Sequence, residues 1–426
     1  MKKTRTVALV DFFDWNRGGH FRVLYRVMVE SLLAAGHNVI AACYYPAELD
    51  RWAENEGGPY RARLKATRFP THDMAKDWWR REHVWEKRLI PKLFGLRERR
   101  VKKRLEQYQH DYFDNIAKTQ GWKIDAMFFP SLTDYFLLPQ SSLPWRHLPM
   151  GGLWLAPASY IHLGVAVTAV PLPPSILNSV RNESSVEIIC LHDECLLDEF
   201  KRLFPKQQIM FWPDASDELA PNRDHPLRTE IIRRAKGRFT VASVGVMDRR
   251  KGIMTLLRAA KHMPDCFFIF AGPDVNTGSF SEEERAQFEA AIRNCPENCF
   301  FHIERIPNDD DFNFFIDVAD SLYIAYLGFT QSSNLLTKAA AQCKPVIVSE
   351  RPGCLKERNR LYNLGLEIPE GSVQATIKAI TTLKQQRDEG TLHTGRRYAE
   401  FMKVHSRAAM AQVLLDVVEK LCAIRR

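Results

Sequence analysis

Residues 330–348 read TQSSNLLTKAAAQCKPVIV, and the punctuation of this stretch decides the fold. Ser332, Ser333 and Asn334 are small polar residues of the type that caps helices, because their side chains can take an N–H that the first turn leaves without an intrahelical partner. Leu335–Gln342 then reads as a helix whose alanines allow close packing. Pro345 stops it, and the apolar, β-branched run to Val348 reads as a buried strand. Another apolar run, Leu322–Tyr326, lies just upstream. Strand, small polar loop, helix and strand in succession are the unit of a parallel sheet. Within it, Lys338 stands out as a charge in the middle of an alanine-rich helix.

The same unit recurs through the second half of the chain. Strands are expected at Phe239–Val244, Cys266–Ala271, Cys299–Ile303, Leu322–Tyr326 and Pro345–Val348. Helices are expected at Ile253–His262, Glu282–Ile292, Asp311–Val318 and Leu335–Gln342. Strict alternation implies a parallel sheet covered on both faces. The first half shows the alternation less clearly. Val7–Val10, Asn38–Cys43, Ile124–Phe129, Val186–Leu191 and Gln208–Phe211 read as strands. Phe21, Leu24, Met28 and Leu32 mark a helix that Gly36 ends in the left-handed position. Residues 76–118 read as long helices, and Val373–Leu383 and Tyr398–Cys422 close the chain as helices. The fold class is therefore α/β, with two doubly wound Rossmann-like domains facing across a cleft. The expected domains are 1–205, 206–392 and a C-terminal helix in 393–426 that packs back on the first domain.

Composition agrees. The chain has 426 residues, 45% hydrophobic and 26% charged, which suits two globular cores. The N-terminus MKKTRTVALVDFFDWN begins like a signal peptide, but Asp11 and Asp14 cut its apolar part short. No run of about 18 apolar residues follows anywhere. Nine irregularly spaced cysteines suit a reducing cytosol. Neither Cys295/Cys299 nor Cys190/Cys195 around His192 has a second ligand pair at a zinc-like spacing, so ordinary cysteines are the better reading.

In doubly wound sheets, ligands sit beyond the carboxyl ends of strands, where loops enter helices. Four loops qualify. After Val244, Gly245 frees the backbone, and Arg249, Arg250 and Lys251 supply the charge that a diphosphate needs; a solvated basic turn is the plain alternative. Ser332–Leu335 offers a helix N-terminus, which carries roughly half a positive charge; an ordinary cap is the alternative. Asn16–His20 holds Gly18 and Gly19, which let backbone approach a ligand but fall short of a dinucleotide fingerprint. Asn308–Asp311 suits an acidic helix start better than a metal site.

Taken together, VGVMDRRKG (244–252), FIFAGP (268–273), VADSLYIAY (318–326), SSNLLTKAAAQCKPVIVS (332–349) and the Gly18-Gly19 loop resemble the GT-B glycosyltransferases of the family 4 type. The resemblance is good over 239–385 and thin in the first half. It implies a sugar moved, with retention, from a nucleotide-sugar donor to a glycan or lipid-linked acceptor in polysaccharide or glycolipid biosynthesis. It implies no metal and no cofactor. Gly245, Arg250, Lys251, Ser332, Ser333, Asn334 and Leu335 would hold the donor diphosphate, with Gly18 and Gly19 near the sugar. His20 and Asp134 are the candidates for the catalytic group of the first domain. There are departures. Val246 stands where the family has a basic residue, and Thr330 and Lys338 replace its paired glutamates. A lysine cannot accept hydrogen bonds from ribose hydroxyls, as the second glutamate does, but it could meet a phosphate or a carboxylated sugar, so Lys338 is also a donor-binding candidate. Either the ribose is held otherwise, or the donor differs, or the protein is an inactive relative serving as partner or scaffold. A sugar-nucleotide epimerase would need a carboxylate pair that the sequence does not identify.

Residues 76–104 hold twelve Lys or Arg against four acids and nearly account for the net charge of +9. Trp78, Trp85 and Leu89 share a helical face there. Such a segment can lie on an anionic leaflet, or bury its tryptophans in the core. No nucleic-acid-binding module accompanies the charge. The expected location is cytoplasmic, peripheral on the inner face of the membrane.

Overall fold

The computed structural model describes residues 3–11, 20–43, 46–55, 58–68, 112–132, 148–154, 186–216, 218–274 and 279–424. Gly18, Gly19, Asp134 and the basic segment 76–104 lie outside the described residues. The chain forms two compact units. One comprises Met1–Leu155, Leu172–Trp212 and Met410–Arg426; the other comprises Ala156–Pro171 and Pro213–Ala409. The first unit thus runs to Trp212 rather than ending after 205, because Gln208–Phe211 pairs into its sheet.

The first unit is built on seven parallel strands: β1 (Thr6–Val10), β2 (Asn38–Cys43), β3 (Leu64–Arg68), β4 (Ala126–Phe129), β5 (Met150–Trp154), β6 (Val186–Leu191) and β7 (Gln208–Phe211), in the order β3-β2-β1-β4-β5-β6-β7. The helix His20–Ala34 follows β1 and buries Leu24, Met28 and Leu32. Gly36, at φ +90°, ends it as expected. The Tyr25 hydroxyl donates to the carbonyl of Leu9, 3.3 Å away, and lies 3.4 Å from that of Ala42, tying the helix to both strands. The helix Arg407–Ala423 contributes Leu414, Val417 and Leu421 to this unit's core from Met410 onward. Strand order reverses between β1 and β4.

The second unit has six parallel strands: β8 (Phe239–Val244), β9 (Cys266–Ala271), β10 (Cys299–His302), β11 (Ser321–Ile324), β12 (Val346–Ser349) and β13 (Gly365–Ile368), in the order β10-β9-β8-β11-β12-β13. Successive side chains of a strand face opposite ways, and the two cores show it. Phe267, Ile269, Leu322, Ile324, Val346 and Val348 pack with Phe314, Leu336 and Ala340 on one face. Phe268, Phe270, Tyr323 and Ile347 pack with Leu256, Phe288 and Ile380 on the other. Burial on both faces is why these strands are continuous apolar runs. The switch point of this sheet lies between β8 and β11.

Candidate functional site

The loops after β8 and β11 meet at that switch point. Gly245 leaves β8 at φ +98° while its N–H still donates to Ala271 O at 2.8 Å. The left-handed backbone at 245 favours glycine, and a Cβ there would stand 2.5 Å from Nζ of Lys251 and displace this lysine. The Asp248 carboxylate caps the short turn Arg249–Lys251 by accepting the Lys251 N–H. The turn swings Lys251 back over the strand end, where Nζ donates to Val244 O at 2.9 Å.

Gly252, at φ +70°, then opens the helix Ile253–Ala260. A Cβ there would lie 2.8 Å from Ala325 O and 3.1 Å from the Tyr323 ring, so its absence lets the two loops touch. Burial pushes the Tyr323 phenol up to about 12. Leu327 N–H donates to Arg250 O at 2.7 Å, a second tie between the loops.

Arg250 is 45% exposed, with Nη2 3.8 Å from Asp248 Oδ2. Its guanidinium lies over two rings, 5.4 Å from Tyr326 and 5.0 Å from Phe329. Lys251 Nζ is 5.8 Å from the Tyr326 ring. The Tyr326 and Ser333 hydroxyls are 3.3 Å apart. Ser333 is the N-cap of the helix Asn334–Ala341 but makes no side-chain capping bond. Gly245, Arg250, Lys251 and the Ser333 helix start are therefore brought together, as a diphosphate cradle requires.

The other residues of the quoted stretch turn inward. Ser332 donates to the buried Asp214 carboxylate, and Arg358 donates to Asp214 Oδ2 at 2.9 Å and to Ser332 Oγ at 2.8 Å. Asn334 donates to Ala215 O at 3.1 Å, and Thr337 to Asp214 O at 2.9 Å. His405 Nδ1 accepts the Asp214 N–H at 3.2 Å. Leu335 is in the core. These residues can offer the site their backbone, since their side chains serve the interior.

Lys338 is only 7% exposed. Its Nζ donates to Asn313 Oδ1 at 2.9 Å, lies 3.7 Å from an Asp309 carboxylate oxygen, and sits 5.0 Å from the Phe312 ring. It fastens its helix to Asp309–Asp317. Phe312 also reaches Gly245, within 3.9 Å of where a Cβ would be. Thr330 is buried, and Gly353 packs on its backbone. His20 is the first residue of the helix after β1.

Sequence reasoning missed Tyr326, Phe329 and a clamp on the loop. Glu370 accepts Arg351 Nε at 2.5 Å and Nη2 at 2.8 Å, and takes the Gly328 N–H at 3.1 Å. The Glu370 bond raises the Arg351 pKa. Two aromatics three apart in a loop were the available signal for the first pair; the second has none.

No protein-family model matches the sequence, and no curated protein matches it. Solved structures do. Sucrose-phosphate synthase from Thermosynechococcus elongatus superposes with TM-score 0.65 at 16% identity, covering 99% of this chain and 100% of that one. A glycosyltransferase from Rickettsia africae gives 0.65 at 10% identity, covering 100% of both chains. Anabaena HepE in complex with UDP gives 0.63 at 9% identity, covering 98% of this chain and 100% of that one. Among the described residues, no helix is long and apolar enough to cross a membrane. With parallel α/β units of seven and six strands and likeness to such neighbours over its full length, the chain has the fold of the GT-B glycosyltransferases.

Proposed function

We propose that this protein transfers a sugar from a nucleotide-sugar donor to a glycan or lipid-linked acceptor, in polysaccharide or glycolipid biosynthesis. The observation that carries the reading is the convergence of Lys251, the half-exposed Arg250 and the start of the helix Asn334–Ala341 at the switch point of the second sheet. Transfer releases a nucleoside diphosphate, and negative charge grows on its bridging oxygen as the glycosidic bond breaks. Fixed cations and a helix N-terminus are preorganised to stabilise that charge. On this reading they take the part a metal would otherwise play, and the transfer is metal-independent; retention of configuration rests on the family resemblance alone. That HepE is described with UDP and with UDP-glucose supports a nucleotide-sugar as the ligand class. His20 and Asp134 remain the candidates for the catalytic group of the first unit.

The test is thermal unfolding of the whole protein with UDP, GDP and ADP. A bound nucleotide at a hundred times its Kd adds about 2.7 kcal/mol and raises Tm measurably. At least one nucleotide should do so, and Lys251→Ala should abolish the shift. No shift with any of the three overturns the donor reading and leaves a non-catalytic partner as the better one.

A further inference from the structure

Tyr326 lies against Arg250, Lys251 and Ser333 at the switch-point end. It is buried, yet its ring lies within cation–π range of both Arg250 and Lys251, at 5.4 and 5.8 Å. It meets Phe329, the second ring under Arg250, in a T-shaped pair at 5.2 Å and 76°. Its hydroxyl meets that of Ser333 at the helix start, 3.3 Å away. Two adjacent cations repel one another and tend to splay into water when no anion is bound. A shared aromatic ring opposes this, because its negative face attracts both. The hydroxyl link then sets the distance between the cations and the helix N-terminus.

From this we infer that Tyr326 is the positioning residue of the site: its ring preorganises Arg250 and Lys251 for a diphosphate, and its hydroxyl registers them against the helix Asn334–Ala341. The inference deepens the proposed function and rests on the reading of this end as the diphosphate site. The two functions of Tyr326 are separable. Tyr326→Phe keeps the ring and loses the link to Ser333. Tyr326→Met keeps the approximate volume and loses the ring face. Neither change touches a cation.

Calorimetric titration of the whole protein tests it, with inorganic diphosphate, the best-binding nucleoside diphosphate and its monophosphate as probes. Tyr326→Met should weaken both diphosphates about tenfold or more and the monophosphate several-fold less, since two ring–cation contacts are lost. Tyr326→Phe should bind diphosphate nearer to wild type than Tyr326→Met does. If Tyr326→Met does not fold, mono-, di- and trifluorinated phenylalanine at 326 carry the test. Each fluorine drains the ring face while the shape is kept, so diphosphate affinity should fall stepwise. Affinity that does not depend on fluorination, or an equal loss for diphosphate and monophosphate, overturns the inference. Wild-type binding of inorganic diphosphate without any nucleotide overturns the donor reading but still scores Tyr326. Binding of neither overturns both.

Discussion

His225 sits flat on Phe314, with ring centroids 4.1 Å apart and planes 9° apart, and its Nδ1 accepts the Leu227 N–H at 3.2 Å. Both contacts suit a neutral imidazole. Burial lowers its pKa, opposed by Asp311 and assisted by His302. The unfolded chain takes up a proton near the ordinary value of about 6.5, while the folded chain does so only at lower pH. Stability is therefore fully present above about pH 6.5 and is lost as pH falls through the depressed folded value. Urea unfolding at about pH 7.5 and about pH 5 should show this loss, and His225→Gln should reduce it. His393, lowered by its own burial and by Arg396, supplies a remainder. An unchanged pH slope in His225→Gln would sink the assignment. At this scale the sequence reveals residue type but not partner. Lys338 was legible as an anomaly, whereas Asn313, Asp309 and Phe312 come from another helix. Ser332 and Asn334 read as caps; their attachment to Asp214 and Ala215 depends on a segment remote in the chain.

Elements were legible where burial on both faces made the apolar run continuous. Phe239–Val244 and Cys266–Ala271 are strands with the expected bounds. Three strands went unseen for physical reasons. Leu64–Arg68 is half polar, and Met150–Trp154 and Gly365–Ile368 carry glycines, which ordinarily weaken a strand. The structure explains the glycines: a Cβ at Gly152 would lie 2.5 Å from Phe129 O, and one at Gly365 would collide with the Val346 backbone. The expected stretch Tyr398–Cys422 is two helices, Tyr398–Val404 and Arg407–Ala423, broken beside the buried His405. At the site, the turn after β8 depends on Gly252 more than on its charges. Gly252→Ala should cost at least about 1–2 kcal/mol for its left-handed backbone alone. It should also push Ala325 and Tyr323 away and weaken nucleoside diphosphate binding. Urea unfolding and titration would show both, and a variant of wild-type stability would contradict the packing described.

For the whole molecule, two parallel-sheet units were readable, because strict alternation implies parallel sheets, and the switch point of the second sheet then names the loops to compare. The exact divide was not, because it depends on side chains that lock distant segments. The segment 213–216 is such a case. Asp214 and Arg358 are each 2% exposed and paired, and Arg407 donates to Glu218 through its N–H and to Ser216 O through Nε at 3.1 Å. Chain that looks like connector is thus interior to the second unit, which has a practical consequence for cutting or recombining it. A fragment spanning 213–409 should unfold in urea as one cooperative transition. A fragment spanning 219–409 removes the carboxylate that Arg358 pairs with, and breaking such a pair costs about 3–5 kcal/mol. Equal stability of the two fragments would refute this. Exchange of the second sheet between chains of this fold should accordingly place its junctions before Pro213 and after Ala409, so that Asp214 and His405 travel with the helix they hold.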